Sequence, residues 1–155
     1  MKNVKKIILA LICIFSIASF AQPQMLNGIS IEGPRGFEKS GELTWKKGND
    51  IVNVMSVNSF LSQEDYENQC KEGSRTTEYL FSEEIEISGN EYIVCMQIGD
   101  NDLLIGQAVV YREGHSYIVT VGTYPGDYES SEMINKSYQQ IGYMMGYMIT
   151  RIKTF

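Results

Sequence analysis

The side chains that could act as nucleophiles, bases or metal ligands are few and widely spaced. His115 is the one histidine of the chain, so a Ser–His–Asp triad would have to use it. The sequence contains no GxSxG, HExxH or CxxC motif and no Walker-type phosphate loop. A single histidine beside Gly114 is typical of a solvated turn. We therefore predict no catalytic residue and no cofactor, and expect a protein that is not an enzyme.

Carboxylates are more numerous, and two groups of them have a spacing that chemistry can use. Residues 99–102 read Gly-Asp-Asn-Asp and offer oxygens to calcium, but the rest of a calcium loop does not follow and turns favour the same residues. Glu84 and Glu86, next to Glu83, would share one face of a strand. Such a pair suits acid–base work at a glycosidic bond, or a solvated strand face that deters aggregation. We predict the turn and the solvated strand, and hence no metal site.

The first 21 residues have the three parts of a secretory signal peptide. Lysines at 2, 5 and 6 precede an apolar run at 7–18, and residues 19–21 read Ser-Phe-Ala, with small residues at both cleavage positions. The run is shorter than the roughly 20 residues of a membrane span, and Cys13 lies within it rather than at a lipidation site. We therefore predict a cleaved signal peptide at 1–21, in preference to an uncleaved anchor, and a periplasmic or secreted protein.

The remaining residues, 22–155, are expected to form one α+β domain without a membrane span. Signal cleavage removes three of the 13 basic residues and none of the 19 acidic ones, which leaves a net charge near −9. An acidic surface repels phosphate backbones, so we predict no nucleic-acid partner. The composition does not indicate an oligomeric state.

Two cysteines, Cys70 and Cys95, remain after cleavage. Export permits a disulfide between them, which would stabilise the fold by roughly 3 kcal/mol. The alternative is a pair of buried free thiols, which are ordinary core residues. Both interpretations stay open.

Alternating apolar and polar residues, separated by Gly, Asn and Asp, predict antiparallel strands in most of the domain. The later strands have short connections, which predicts a meander within a sheet of about six or seven strands. The strand at 103–112 is apolar on both faces, so we expect a covering layer on each. The predicted strands are 28–32, 41–46, 51–57, 77–87, 91–98, 103–112 and 116–123.

Two helices complete the predicted fold. Ser62 and Asp65 have capping-box spacing and Gly73 suits a C-cap, which predicts a short helix at 63–72 with Cys70 towards the core. A serine at 130 or 131 caps a long helix near 131–153 that packs on the sheet. Its apolar stripe comprises Ile134, Tyr138, Ile141, Met145, Met148, Ile149 and Ile152.

Gly142 and Gly146 lie beside that stripe. In a membrane, this GxxxG spacing would indicate helix dimerisation. In a helix of a water-soluble domain we expect the glycines to let the helix backbone approach the sheet closely.

Four tyrosines are the candidate partner-binding residues. Tyr143 and Tyr147 are four residues apart on the side of the long helix away from its stripe, and exposed tyrosine pairs are favoured in protein interfaces. A local pair contact, or cover by residues 22–28, is the alternative. Tyr124 and Tyr128 flank a Pro-Gly turn in the loop before the helix, either as a binding loop or folded onto the end of the sheet.

The order of elements resembles the Mog1/PsbP-like α/β/α sandwich family, which includes bacterial DcrB-type periplasmic proteins. Members often begin with a strand followed by Pro-x-Gly-aromatic, as residues 33–37 do with Gly-Pro-Arg-Gly-Phe. The resemblance covers nearly all of residues 22–155. It implies an α/β/α sandwich, no shared catalytic residues, and a role in binding other proteins, and it assigns no binding residue to this chain.

The functional expectation is an exported, non-enzymatic binding module that recognises a protein partner. One alternative is a small enzyme of unrecognised type that acts on glycans or peptides, which would need a pocket with at least two ionisable groups of shifted pKa. Another is a periplasmic immunity protein that neutralises a toxin, which predicts a toxin gene next to its own.

Overall fold

The computed structural model describes residues 24–26 and 29–154, and the burial of side chains 31–152. The predicted signal peptide at 1–21 lies outside the described residues. Neither helix of the described part is long and apolar enough to cross a membrane. A seven-stranded antiparallel sheet with a short helix and a long C-terminal helix packed on it confirms the predicted α+β class.

The described part contains nine strands and two helices, numbered here in chain order. The seven predicted strands and both predicted helices are present, with bounds that differ by a few residues. Strands β1 and β3 were not predicted, and β3 has no apolar residue to signal it. The elements are β1 Gln24–Leu26, β2 Ile29–Ile31, β3 Glu38–Gly41, β4 Thr44–Lys47, β5 Asp50–Val57, α1 Gln63–Glu72, β6 Thr77–Ile87, β7 Asn90–Gly99, β8 Leu104–Arg112, β9 His115–Thr123 and α2 Ser131–Thr154.

The main sheet has the strand order β3–β4–β5–β9–β8–β7–β6, and every neighbouring pair is antiparallel. The chain leaves the middle of the sheet after β5, passes through α1, and enters again at the far edge as β6. The meander β6–β9 then returns until β9 pairs with β5. Strand β9 is therefore central, and β1 and β2 form a separate hairpin.

The Pro-x-Gly-Phe segment forms a tight turn between β2 and β3. The Phe37 amide donates to the Pro34 carbonyl at 3.0 Å, and Gly36 has φ +81°, which only glycine adopts readily. The preceding Gly33 lies against the indole of Trp45, where an added Cβ would meet a ring atom at 2.3 Å. The motif therefore folds the chain closely over the start of the sheet.

One face of the sheet packs against α2 and holds the main core. Tyr117, Val119 and Val121 of β9 are fully buried on this helix-covered face. Burying an apolar side chain of this size contributes about 1.5–3 kcal/mol. Tyr138 of the predicted stripe packs edge-to-face on Phe81 of β6. The fully or nearly fully buried residues of α2 are Ile141, Met144, Met145, Met148, Ile149 and Ile152.

The close approach of α2 to the sheet occurs at Gly106, not at the helix glycines. A Cβ on Gly106 of β8 would lie 2.6 Å from Cγ2 of Ile141. A Cβ on Gly142 or Gly146 would meet nothing within 4 Å. The expectation that these two glycines face the sheet is therefore wrong: the buried stripe includes Met144, which turns the helix so that both glycines face outwards.

The short helix α1 begins and ends as its sequence predicts. Ser62 Oγ accepts from the Asp65 amide at 3.0 Å, and Gly73 follows the helix with φ 70° and donates to the Cys70 carbonyl. Cys70 is buried, which confirms that it faces the core. Gln63 ties the start of α1 to β7, because its Oε1 accepts from the Ile93 amide at 2.6 Å. This fixes α1 on the face of the sheet opposite α2, here called the cleft face.

Candidate functional site

The cleft face is covered by α1 over only part of its width. Helix α1 packs on β6, β7 and β8, and leaves β4 and β5 on the other side of β9 open. The sheet therefore provides a floor and the end of α1 with its following loop provides one wall. The result is a cleft on this face, and its most enclosed part is the candidate site.

That enclosed part, here called the sheet cavity, has a volume of about 150 Å³. Ile51, Leu103 and Ile105 line it with aliphatic side chains. Gly122 of β9 lies between them without a side chain, and an added Cβ there would lie 3.0 Å from Ile51 and 3.3 Å from Leu103. The apolar floor thus depends on residues from three strands and on a glycine that leaves room above it.

Polar groups lie on the rim of the sheet cavity, among them Lys46 and Tyr124. Partial burial lowers the pKa of Lys46. Burial raises the pKa of Tyr124, and a hydrogen bond from Asn101 acts in the opposite direction. That bond runs from Asn101 Nδ2 to the Tyr124 hydroxyl oxygen at 2.8 Å. The cavity therefore combines an apolar floor with an amine and a phenol that are both partly removed from water.

A row of polar side chains continues from the cavity across the cleft face. Gln97 Nε2 donates to Gln107 Oε1 at 2.6 Å, and Gln107 Nε2 donates to Thr120 Oγ1 at 2.9 Å. Asn53, which pairs with Thr120 across the strands, donates to Thr44 Oγ1 at 2.8 Å. The three glutamine and asparagine side chains and Thr120 line a second, more open cavity of about 350 Å³, which shares Asn53 and Thr120 with the sheet cavity. Because the row is hydrogen-bonded, it fixes the floor of the cleft rather than offering reactive groups.

Of the two cysteines, Cys70 lines this second cavity. Cys70 and Cys95 are both buried, as free thiols, and Gln97 Nε2 lies 3.5 Å from the Cys70 sulfur. The hydrogen bond with Cys95, and burial after it, raises the pKa of Cys70 well above its ordinary value. Helix packing thus brings the two cysteines close to each other, and the disulfide and the pair of free thiols stay alternative interpretations.

The two loop tyrosines fold onto the turn between β7 and β8. Tyr124 is half-buried at the rim of the sheet cavity, and the Tyr128 hydroxyl donates to the Asp102 carbonyl at 2.7 Å. Burial, followed by the charge of Asp102, raises the pKa of Tyr128 to about 12. Tyr124 thus belongs to the candidate site, while Tyr128 holds the turn that carries Asn101.

The two helix tyrosines differ in their surroundings. Tyr143 is 58% exposed, whereas Tyr147 is half-buried, packs against the edge of the core and lies 5.1 Å beneath the Arg151 guanidinium. Together with Gly142 and Gly146 they line a shallow groove on the outer side of α2. Of the expected tyrosine pair, Tyr143 alone is thus mainly exposed.

The remaining candidates for chemistry are not brought together. His115 is the first residue of β9 rather than a turn residue, and its Nδ1 is buried without a hydrogen-bond partner among the described residues. Glu84 and Glu86 are exposed on edge strand β6, and no residue of 83–86 lines the cavities described above. No group of three or more potential metal ligands occurs in the part of the chain that the structure describes.

Sequence reasoning missed most of the cleft. Lys46, Asn101 and Gly122 lie on three separate turns and strands, and only the sheet brings them to one cavity. One signal was present: Asn53, Gln97 and Gln107 are polar side chains within largely apolar stretches of their strands. Polar residues at such positions indicate a strand face that is not fully covered by apolar neighbours.

Comparison with models of known protein families matches none of them, and a search of curated protein sequences finds no significant match. The geometry of the cleft and of the outer helix face is therefore the basis for assigning a function.

Proposed function

We propose that the protein is an exported, non-catalytic binding module that takes a small apolar ligand into the sheet cavity. The observation that carries this proposal is a cavity of about 150 Å³, with an aliphatic floor, on a sheet face that α1 leaves partly open. An apolar protein cavity of about this volume binds benzene. A well-formed apolar pocket with a few convergent polar groups is the usual form of a small-molecule site.

The enzyme alternative required a pocket with two ionisable groups of shifted pKa, and the sheet cavity has these in Lys46 and Tyr124. Burial is the largest cause of both shifts, and no charged neighbour contributes to either. Binding is the simpler proposal, because it needs only the apolar floor and the polar rim of the cavity. Turnover of a bound glycan or peptide by the purified protein would favour the enzyme alternative instead.

The element order also supports the resemblance to the Mog1/PsbP-like sandwich, which we keep as part of the proposal. A strand, the Pro34–Phe37 turn, a hairpin, α1, the meander and α2 follow one another as the resemblance implies. Since one fold serves many functions, this likeness supports the architecture and leaves the ligand to the cavity.

Binding of a neutral, benzene-sized probe tests the proposal. Titration with benzyl alcohol, followed by methyl NMR, should shift the signals of Ile51, Leu103 and Ile105 with a Kd of about 1 mM, as expected for so small a ligand. The Ile51→Phe variant places a ring in the cavity and should abolish saturable binding. The matched control is Ile87→Phe, because Ile87 is also half-buried on a strand but packs against the main core and does not line the cavity. Equal binding by Ile51→Phe and the unchanged protein would contradict the proposal.

A second candidate function, recognition of a protein partner, is favoured by the outer groove of α2. Two glycines one turn apart weaken an exposed helix by roughly 1 kcal/mol each, yet they leave space in which a partner helix can approach. Tyr143 beside them offers an aromatic surface with a hydroxyl. The partner that fits is a helix with small side chains at its contact face.

Affinity capture from the cell envelope, read by mass spectrometry, tests this second function. The Tyr143→Ser variant should lose the captured partner while its melting temperature stays nearly unchanged, because the ring packs on little of the core. Tyr111→Ser, at an exposed tyrosine of β8, is the control for a general loss of surface aromatics. Undiminished capture by Tyr143→Ser would exclude this face.

A further inference from the structure

We propose that the ligand of the sheet cavity is a small monocarboxylate, with an apolar body about the size of a benzene ring and its carboxylate at Lys46. This inference rests on the proposed function, and it adds the chemical class of the ligand. It is carried by the position of one lysine on the rim of an apolar cavity and by the hydrogen-bonding groups near it.

Lys46 is half-buried and lines the cavity, yet it forms no ion pair among the described residues. Two carboxylates lie near Lys46, one opposite it on the neighbouring strand and one a few residues later in the chain. Glu38 pairs with Lys46 across β3 and β4, but it is exposed and its carboxylate is not within 4.0 Å of the amine. Asp50 also lines the cavity, but its carboxylate is held by two other donors: Thr123 Oγ1 donates to its Oδ1 at 2.6 Å and Gln140 Nε2 donates to its Oδ2 at 2.9 Å. The ammonium group has therefore lost part of its hydration without gaining an anion.

A second donor lies on the same rim. The Tyr124 hydroxyl oxygen accepts from Asn101, which leaves its own hydrogen to be donated. Asn101 Oδ1 in turn accepts from the Leu103 amide at 3.4 Å, so the tyrosine is held by a fixed partner. A carboxylate accepts several hydrogen bonds, and hydrogen bonds to charged groups are about twice as strong as neutral ones.

Lys46 and Asp50 are the two charged residues that line the cavity. Both carboxylate oxygens of Asp50 accept from other side chains, whereas Lys46 has no ion pair among the described residues, so Lys46 is the group left to bind an anion. The turn and hairpin around Lys46, residues 33–48, contain four cationic side chains against two acidic ones. The apolar part of the ligand would cover Ile51, Leu103 and Ile105, and the volume of about 150 Å³ limits it to roughly the size of benzene.

Three probes that differ mainly in their polar group separate the contribution of the ligand's charge to affinity from that of its apolar ring. Phenylacetate, benzyl alcohol and benzylamine share a ring and carry an anion, a neutral hydroxyl and a cation. Calorimetric or NMR titration of the purified protein should give an affinity about tenfold higher for phenylacetate than for benzyl alcohol, and the lowest affinity for benzylamine. The Lys46→Met variant keeps most of the aliphatic stem and removes the charge. Its affinity for phenylacetate should fall to that for benzyl alcohol, and its affinity for benzyl alcohol should change less than twofold.

The matched control is Lys47→Met, the same charge removal at the next residue, which is exposed and does not line the cavity. It should keep the preference for phenylacetate. Equal binding of phenylacetate and benzyl alcohol, or of phenylacetate and benzylamine, would overturn the carboxylate inference while leaving the cavity as a binding site. Binding of none of the three probes would overturn the proposed function together with this inference. Circular dichroism of each variant checks that the fold is retained.

Discussion

Glycine-to-alanine substitutions test which side of α2 faces the sheet. Gly142 and Gly146 lie within the helix, and a Cβ at either would meet nothing within 4 Å. Alanine is more favourable than glycine in a helix interior by about 0.8–1.0 kcal/mol, because it restricts the unfolded chain and adds no strain in open space. We therefore expect Gly142→Ala and Gly146→Ala each to raise the free energy of unfolding by up to about 1 kcal/mol.

Gly106→Ala should have the opposite effect on stability. Its Cβ would lie 2.6 Å from Cγ2 of Ile141, which is itself 2% exposed and packed between helix and sheet. An ordinary carbon–carbon contact is about 3.5–4.0 Å, so Ile141 or the helix would have to move by roughly 1 Å. Overpacking of this kind costs typically about 1–3 kcal/mol, and we expect Gly106→Ala to lower the free energy of unfolding by that amount.

Urea denaturation of the three variants, with the slope m checked for constancy, measures these differences directly. Thermal melting should show the same order, with a rise of a few °C for the helix variants. A destabilisation by Gly142→Ala and Gly146→Ala, with Gly106→Ala neutral, would refute the reasoning. It would mean that the helix glycines pack against the sheet, as the sequence alone suggested.

Three further predictions concern the cap of α1, the cysteines and the loop tyrosine Tyr128. Ser62→Ala removes the side chain that accepts from the Asp65 amide, and should lower the free energy of unfolding by about 1 kcal/mol in urea denaturation. Cys70 and Cys95 are buried as free thiols, so non-reducing peptide mapping of the purified, unfolded protein should recover them in two separate peptides, each alkylated. One linked peptide would show the disulfide instead, and Cys95→Ala should then cost about 3 kcal/mol. The pKa of Tyr128, raised from 10.0 to about 12, favours the folded state below pH 10, and this contribution should be lost as the pH rises towards 12. Tyr128→Phe should accordingly show a smaller loss of stability over that pH range than the unchanged protein.

Local patterns were sufficient for most secondary structure. Ser62, Asp65 and Gly73 fix the ends of α1 through hydrogen bonds within a few residues, so the sequence predicts the helix with little reference to its neighbours. The alternating strands and the long apolar stripe of α2 are likewise read from periodicity. Strand β3 could not be predicted from periodicity, because its residues Glu38–Gly41 have no apolar member and become a strand only by pairing with β4.

The sequence by itself determined the class of the fold, because caps, turns and hydrophobic periodicity act over a few residues. Tertiary structure alone decided where the candidate site lies. Lys46 is far along the chain from Gly122 and Tyr124, and they meet because β4, β5 and β9 are neighbours in the sheet and α1 covers only its other half. The outward direction of Gly142 and Gly146 also depended on packing. Inclusion of Met144 in the buried stripe rotates α2 and leaves both glycines on its outer side.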